Sequence, residues 1–127
     1  MHVQEGEGWR LLVDPARHPF GVLIGGAGWA AELTAPEASA LQQGLARLLA
    51  QRELLAGQLM AEEALTLELD LELAEGGLWL ELEGETDRWQ LRFVLTPAAG
   101  QRGLEGSWGP AASRAFAAAL AQWVAPC

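Results

Sequence analysis

The sequence predicts an α+β fold with largely antiparallel sheets and two helices, and three observations carry that expectation. A capping box opens a stretch of leucines spaced three and four apart. A later segment alternates leucine strictly with mostly polar residues, and glycine and proline clusters punctuate the chain between them. The expected order is three strands, a helix, four strands and a helix, in one domain spanning residues 1–127.

The first strand is Gly8 to Val13, an apolar run closed by Asp14-Pro15, and the second is Phe20 to Ile24, closed by Gly25-Gly26. Gly26 and Gly28 suit a tight hairpin turn into a third strand, Trp29 to Leu33. Thr34-Ala35-Pro36-Glu37 then opens the first helix: the Thr oxygen can accept an orphan backbone N–H, and Glu37 can reach back to the Thr N–H. Pro36 in the first turn costs no internal hydrogen bond. Leu41, Leu45, Leu48, Leu49, Leu55 and Leu59 make one apolar stripe, so the helix is expected from about Ala35 to about Met60, with Gln42 and Gln43 facing elsewhere. Gly44 and Gly57 each cost such a helix about 1 kcal/mol against alanine, and are read as tolerated rather than as packing devices.

From Leu65 the period changes to two. Leu65, Leu67, Leu69, Leu71 and Leu73 alternate with Thr66, Glu68, Asp70, Glu72 and Ala74. On a helix these leucines would spread round the cylinder, so the pattern outweighs leucine's helical propensity. Gly76-Gly77 turns the chain, and Leu78, Leu80 and Leu82 continue the buried face opposite Trp79, Glu81 and Glu83. After a second turn at Gly84 to Asp87, Trp89, Leu91, Phe93 and Leu95 face inward while Gln90, Arg92, Val94 and Thr96 face out. Leu104 to Trp108 is a short strand. Pro110 begins a second helix with Phe116, Leu120, Trp123 and Val124 on its apolar face, and Pro126 ends it.

Composition narrows the functional classes. The chain has 8 arginines, no lysine and 17 acids, for a net charge of −9. No apolar run approaches the roughly 18 residues of a membrane span, and the hydrophobic fraction is too high for disorder. The acidic N-terminal segment lacks the basic and apolar regions of a signal peptide, and the lone cysteine, Cys127, closes no internal disulfide, so a cytoplasmic location is expected.

Gly8-Trp9-Arg10, Gly28-Trp29-Ala30-Ala31-Glu32-Leu33-Thr34, Leu78-Trp79-Leu80-Glu81 and Glu105-Gly106-Ser107-Trp108 together resemble a small family of cyanobacterial and plastid-lineage proteins known only as a domain of unknown function. The resemblance covers nearly the whole chain. It implies a fold similar to the Whirly-type single-stranded DNA-binding transcriptional regulators, built from a repeated strand–helix unit. The order read from pattern fits two such units, the first short of one strand. The resemblance implies no established activity and brings no catalytic residues.

The strongest feature outside the core is acidic: from Glu53 to Asp87 there are 11 acids and no basic residue. Alternation places Glu68, Asp70 and Glu72 on one strand face about 6.6 Å apart. Glu81 and Glu83 join them from the neighbouring strand, with Trp79 among them as an anchor. One reading is a solvated outer face kept soluble by charge. The other is a docking surface for a basic protein partner. The strand spacing spreads these carboxylates too far for one metal ion, so neither metal nor cofactor is expected.

Six tryptophans suit a single-stranded nucleic-acid binder, but the charge opposes phosphate contact unless arginines such as Arg10, Arg17, Arg88, Arg92, Arg102 and Arg114 gather into a patch. Trp9, Trp29, Trp89, Trp108 and Trp123 are read as core or interface residues. Gly26-Ala27-Gly28-Trp29-Ala30-Ala31 matches a dinucleotide-binding pattern only superficially, because the capping box starts the helix at Thr34. Ser39, Ser107, Ser113, Cys127, His2 and His18 show no nucleophile–base spacing, with His2 and Cys127 at frayed ends and His18 in an exposed loop. The expectation is a non-enzymatic interaction module docking a basic partner through Glu68, Asp70, Glu72, Trp79, Glu81 and Glu83, with sheet edges favouring a homodimer. The alternative is a single-stranded nucleic-acid-binding regulator.

Overall fold

The structure is a computed structural model that describes residues 1–58 and 63–124. Strands β1 (His2–Gly6), β2 (Trp9–Val13), β3 (Val22–Gly26) and β4 (Trp29–Leu33) form one antiparallel sheet in sequential order. Helix α1 (Ala35–Ala56) follows. Strands β5 (Leu65–Glu72), β6 (Gly77–Glu85), β7 (Arg88–Thr96) and β8 (Leu104–Trp108) form a second antiparallel sheet, and helix α2 (Pro110–Ala121) comes last. The fold is thus α+β with two antiparallel sheets and two helices. The first half has four strands, not the expected three.

The additional strand, β1, pairs with β2 from His2 opposite Val13 to Gly6 opposite Trp9. Its residues are mostly exposed, so no apolar alternation marks it. His2 consequently lies in a paired strand rather than at a frayed end. Phe20 falls outside β3 and is exposed, whereas β6 runs on through Gly84. There a positive φ of 146° and the close approach of Arg88 and Trp89 backbone atoms leave no room for a side chain.

Helix α1 begins as its capping box requires. The Thr34 hydroxyl accepts from the Glu37 backbone N–H at 3.3 Å, and the Glu37 carboxylate accepts from the Thr34 N–H at 2.8 Å. The helix ends at Ala56 with Gly57 as C-cap, before the expected end; Leu59 and Met60 lie outside the described residues. Leu41, Leu45 and Leu48 are buried, while Leu49 and Leu55 pack at the margin. Gly44 is a packing residue after all. A Cβ there would collide with the Leu80 side chain and lie 2.9 Å from that of Leu71, so its absence lets α1 lie close on β5 and β6. A Cβ on Gly57 would meet nothing within 4 Å among the described residues, as expected of a tolerated glycine.

Gln42 does not simply face away. Its amide donates to the carbonyls of Leu120 at 2.9 Å and Trp123 at 2.7 Å, satisfying acceptors at the end of α2. Helix α2 stops at Ala121, so Trp123 packs against the core from beyond the helix and Val124 is exposed; Pro126 lies outside the described residues.

The buried residues of both sheets and both helices form one cluster. Helix α1 covers β5 and β6 of the second sheet, while α2 packs on β7 and also on β2 and β1. The sheets meet where β3 approaches β8. There Trp108 stacks on Phe116 with centroids 4.2 Å apart, and Phe93 and Trp29 complete the aromatic group. Trp89 and Trp108 are buried, and Trp9, Trp29 and Trp123 are packed against the core.

Candidate functional site

Alternation along β5, β6 and β7 sends the leucines, Trp89 and Phe93 inward and leaves the outer face of the second sheet to polar residues. The register sets them in rows across the strands. Thr66 stands opposite Glu83 and Glu83 opposite Gln90; Glu68 stands opposite Glu81 and Glu81 opposite Arg92. In the next row Asp70 faces Trp79 and Trp79 faces Val94, and beyond it Glu72 faces Gly77 and Gly77 faces Thr96. The residues singled out from sequence therefore share one face.

That face is not purely acidic. Arg92 crosses from β7 into it, with its guanidinium carbon 4.9 Å from the centre of the Trp79 ring and its Nε 3.9 Å from a Glu81 carboxylate oxygen. The Glu81 side chain is 18% exposed and that of Arg92 56%. Glu81 is thus the more sheltered partner of this pair and lies beside an arginine that reaches the centre of the face. The run without basic residues ends at Asp87 in sequence, and only strand pairing brings Arg92 alongside it.

Beside Trp79, on the side away from Arg92, Gly77 leaves a notch of about 320 Å³. Asp70, Glu72, Trp79, Val94 and Thr96 border it. Alternation already turned Arg92 outward, but neither the notch nor the placing of Arg92 beside Trp79 was legible from the acids alone.

Most of the other arginines are held elsewhere. Arg10 pairs with Glu5 at 3.3 Å and Arg17 with Glu32 at 2.6 Å, while Arg52 lies 5.6 Å from the centre of the Trp89 ring. Arg88 and Arg114 border a common hollow beside α2, where Arg114 donates to the Asp87 carbonyl at 3.0 Å; no tryptophan borders it. Arg10 borders a hollow of about 350 Å³ with Trp9 and Trp29, and Arg92 lies over Trp79, so among the described residues these tryptophans have one arginine at each place rather than a shared basic patch.

The considered nucleophiles have structural roles or none in view. Ser113 is fully buried, accepting from the Leu91 N–H and donating to the Trp108 carbonyl, each at 2.9 Å. Ser39 accepts from Gln43, the Ser107 carbonyl accepts from Trp29, and Cys127 lies outside the described residues. His18 is exposed in the loop between β2 and β3. Gly26 to Ala31 forms the β3–β4 hairpin, with Gly28 at φ 80°, and no helix starts there. Among the described residues, no three His, Cys, Asp or Glu side chains stand close enough to hold a metal ion, and no helix is long and apolar enough to cross a membrane.

Two antiparallel four-stranded sheets, each followed in the chain by a helix, with a polar outer face bearing Trp79, define a doubled α+β protein. The family described as a domain of unknown function, DUF1818, matches residues 4–123, and the chain belongs to that family. The chain is also similar to the crystal structure of a protein with unknown function from the DUF155 family from Prochlorococcus sp. NATL2A. The two are 35% identical, the match covers 94% of this chain and 96% of that one, and the TM-score is 0.82. No curated protein matches. The family of unknown function and the cyanobacterial neighbour agree with the family part of the resemblance drawn from the sequence, and they bear on no likeness to the Whirly-type fold.

Proposed function

We propose that the protein is a non-enzymatic interaction module that docks a basic protein partner on the outer face of its second sheet. The observation carrying this reading is the register, which sets Glu68 directly opposite Glu81 with Asp70 and Trp79 in the adjoining row. Like charges directly across an antiparallel pair repel, so this arrangement has a stability cost that a neutral polar face avoids. A cationic partner relieves that repulsion, and Trp79 supplies apolar contact at its centre.

The doubled order of four strands and a helix also supports kinship with the Whirly-type fold, and with it a nucleic-acid-binding alternative. The pairing of Arg10, Arg17 and Arg92 with carboxylates works against phosphate binding. Sheet edges at β1, β4, β5 and β8 support a homodimer, which light scattering tests against the 13.6 kDa monomer mass.

The test is fluorescence anisotropy with a labelled lysine-rich peptide and a labelled single-stranded oligonucleotide, using wild type and the triple variant Glu68→Lys, Asp70→Lys, Glu72→Lys. Peptide binding that weakens with salt and is lost in the variant supports the proposal. Equal peptide binding by both proteins, or tighter binding of the oligonucleotide by wild type, overturns it.

A further inference from the structure

We propose that the notch over Gly77 is the receptor for a single arginine side chain of the basic partner, an inference that rests on the docking reading above. The two cross-strand rows Asp70–Trp79–Val94 and Glu72–Gly77–Thr96 frame it. Because Gly77 has no side chain, the space between Trp79 and the end of the sheet stays open at about 320 Å³. Trp79 and Val94 offer an apolar wall to an alkyl stem. Asp70 and Glu72 stand across from them with two carboxylates, and the Thr96 side chain adds a hydroxyl to the rim.

Arginine fits this arrangement better than lysine. A guanidinium is planar, stacks on an indole face and meets carboxylates through several fixed donors, whereas an ammonium is a compact and strongly hydrated point charge. The protein itself already uses the pairing. Arg92 lies over the Trp79 ring on the Glu81 side, in the row on the opposite flank from Gly77. A partner arginine in the notch would approach Trp79 from the other side, placing the indole between two guanidiniums and near carboxylates on both flanks.

Gly77 makes the inference separable from simple charge attraction. A Cβ at this position meets only the Leu71 carbonyl, at 3.4 Å, an ordinary contact, and the φ is one that side chains adopt. Gly77→Val therefore fills the notch while leaving every charge in place, and valine suits a strand.

The experiment measures binding of two labelled peptides of equal charge to the whole protein: an all-lysine sequence and the same sequence with one central arginine. Wild type is expected to favour the arginine peptide about five- to tenfold, the scale of one well-placed guanidinium–indole contact. Gly77→Val is expected to abolish that preference and leave the all-lysine affinity unchanged. Circular dichroism checks that the variant is folded. Should it not be, the smaller Gly77→Ala serves in its place, and a shift of the Trp79 indole resonance on adding the arginine peptide to wild type gives an independent readout. No arginine preference in wild type, or a preference that survives filling the notch, overturns the inference while the docking reading stands. Failure of both peptides to bind overturns both. Self-association of wild type that Gly77→Val abolishes would make the occupant a second copy of this chain, and would also overturn the inference of a separate partner.

Discussion

Trp29 and Trp108 exchange hydrogen bonds across the junction of the two sheets. The Trp29 indole N–H donates to the Ser107 carbonyl at 3.1 Å, the Trp108 indole N–H donates to the Gly25 carbonyl at 2.9 Å, and the rings meet edge to face with centroids 5.2 Å apart. Each tryptophan binds backbone of the other's sheet. Replacement by phenylalanine keeps an aromatic ring but removes the donor. Trp108→Phe is expected to cost about 1–3 kcal/mol, because it strands a carbonyl at a fully buried ring, and Trp29→Phe less, because its site is partly open to water. Urea denaturation of both single variants and the double variant checks this, with a coupling energy above about 0.5 kcal/mol expected for residues in contact.

Ser113 completes the β7–β8 ladder where β8 gives way to α2. Its hydroxyl joins the Leu91 N–H to the Trp108 carbonyl inside the core, so Ser113→Ala leaves a buried donor and a buried acceptor unpaired. A loss of about 1–3 kcal/mol in chemical denaturation is expected. Retention of wild-type stability would mean that water takes the hydroxyl's place.

Gly44 inside α1 and Gly57 at its C-cap should respond to alanine with opposite signs. Gly57, a C-cap in right-handed helical conformation with open space around it, gains about 0.4–1 kcal/mol from the stiffer unfolded chain. At Gly44 the helical gain of about 1 kcal/mol competes with overpacking against Leu80 and Leu71, which costs about 1–3 kcal/mol. Because Leu80 is fully buried and has little room to move, Gly44→Ala is expected to be the destabilising one. Thermal melts of the two variants decide it.

Removing the charge at Glu68 should strengthen the fold even as it weakens docking. Glu68→Gln relieves repulsion with Glu81 directly opposite and is expected to add about 0.2–1 kcal/mol, with the gain shrinking as salt rises. Denaturation at two ionic strengths measures it.

Much of the second sheet was legible because its leucines alternate without interruption and one face of each strand is buried; a slip of one residue would turn them all to solvent. The first helix start was legible for a similar reason, since Thr34 and Glu37 encode both bonds of the cap. Strand β1 was not, because an exposed edge strand needs no apolar alternation. Its signal lay in repetition: Gly6-Glu7-Gly8-Trp9 matches Gly26-Ala27-Gly28-Trp29, and both form hairpins. In each, a Cβ on the first glycine would collide with the indole of the tryptophan, so the ring lies across its own hairpin partner. The acidic face was legible as a face, since period two alone assigns it. The outward aspect of Arg92 was legible in the same way, but its place beside Glu81 and Trp79 and the notch were not, because they depend on which residue of β7 pairs with Glu81 and on a glycine whose meaning comes from its neighbours across the sheet.

The helix that follows the first sheet covers the second, while the first sheet takes its main cover from α2 and its junction from β8. As the chain leaves the ribosome, the first sheet is therefore complete long before the residues that shield its apolar side exist. Leu11, Val22 and Ile24 share one buried cluster with Phe116 and Trp108, which are made last, so the first half is not expected to mature before the second. A chain cut between α1 and β5 should yield pieces that fail singly and assemble when made together.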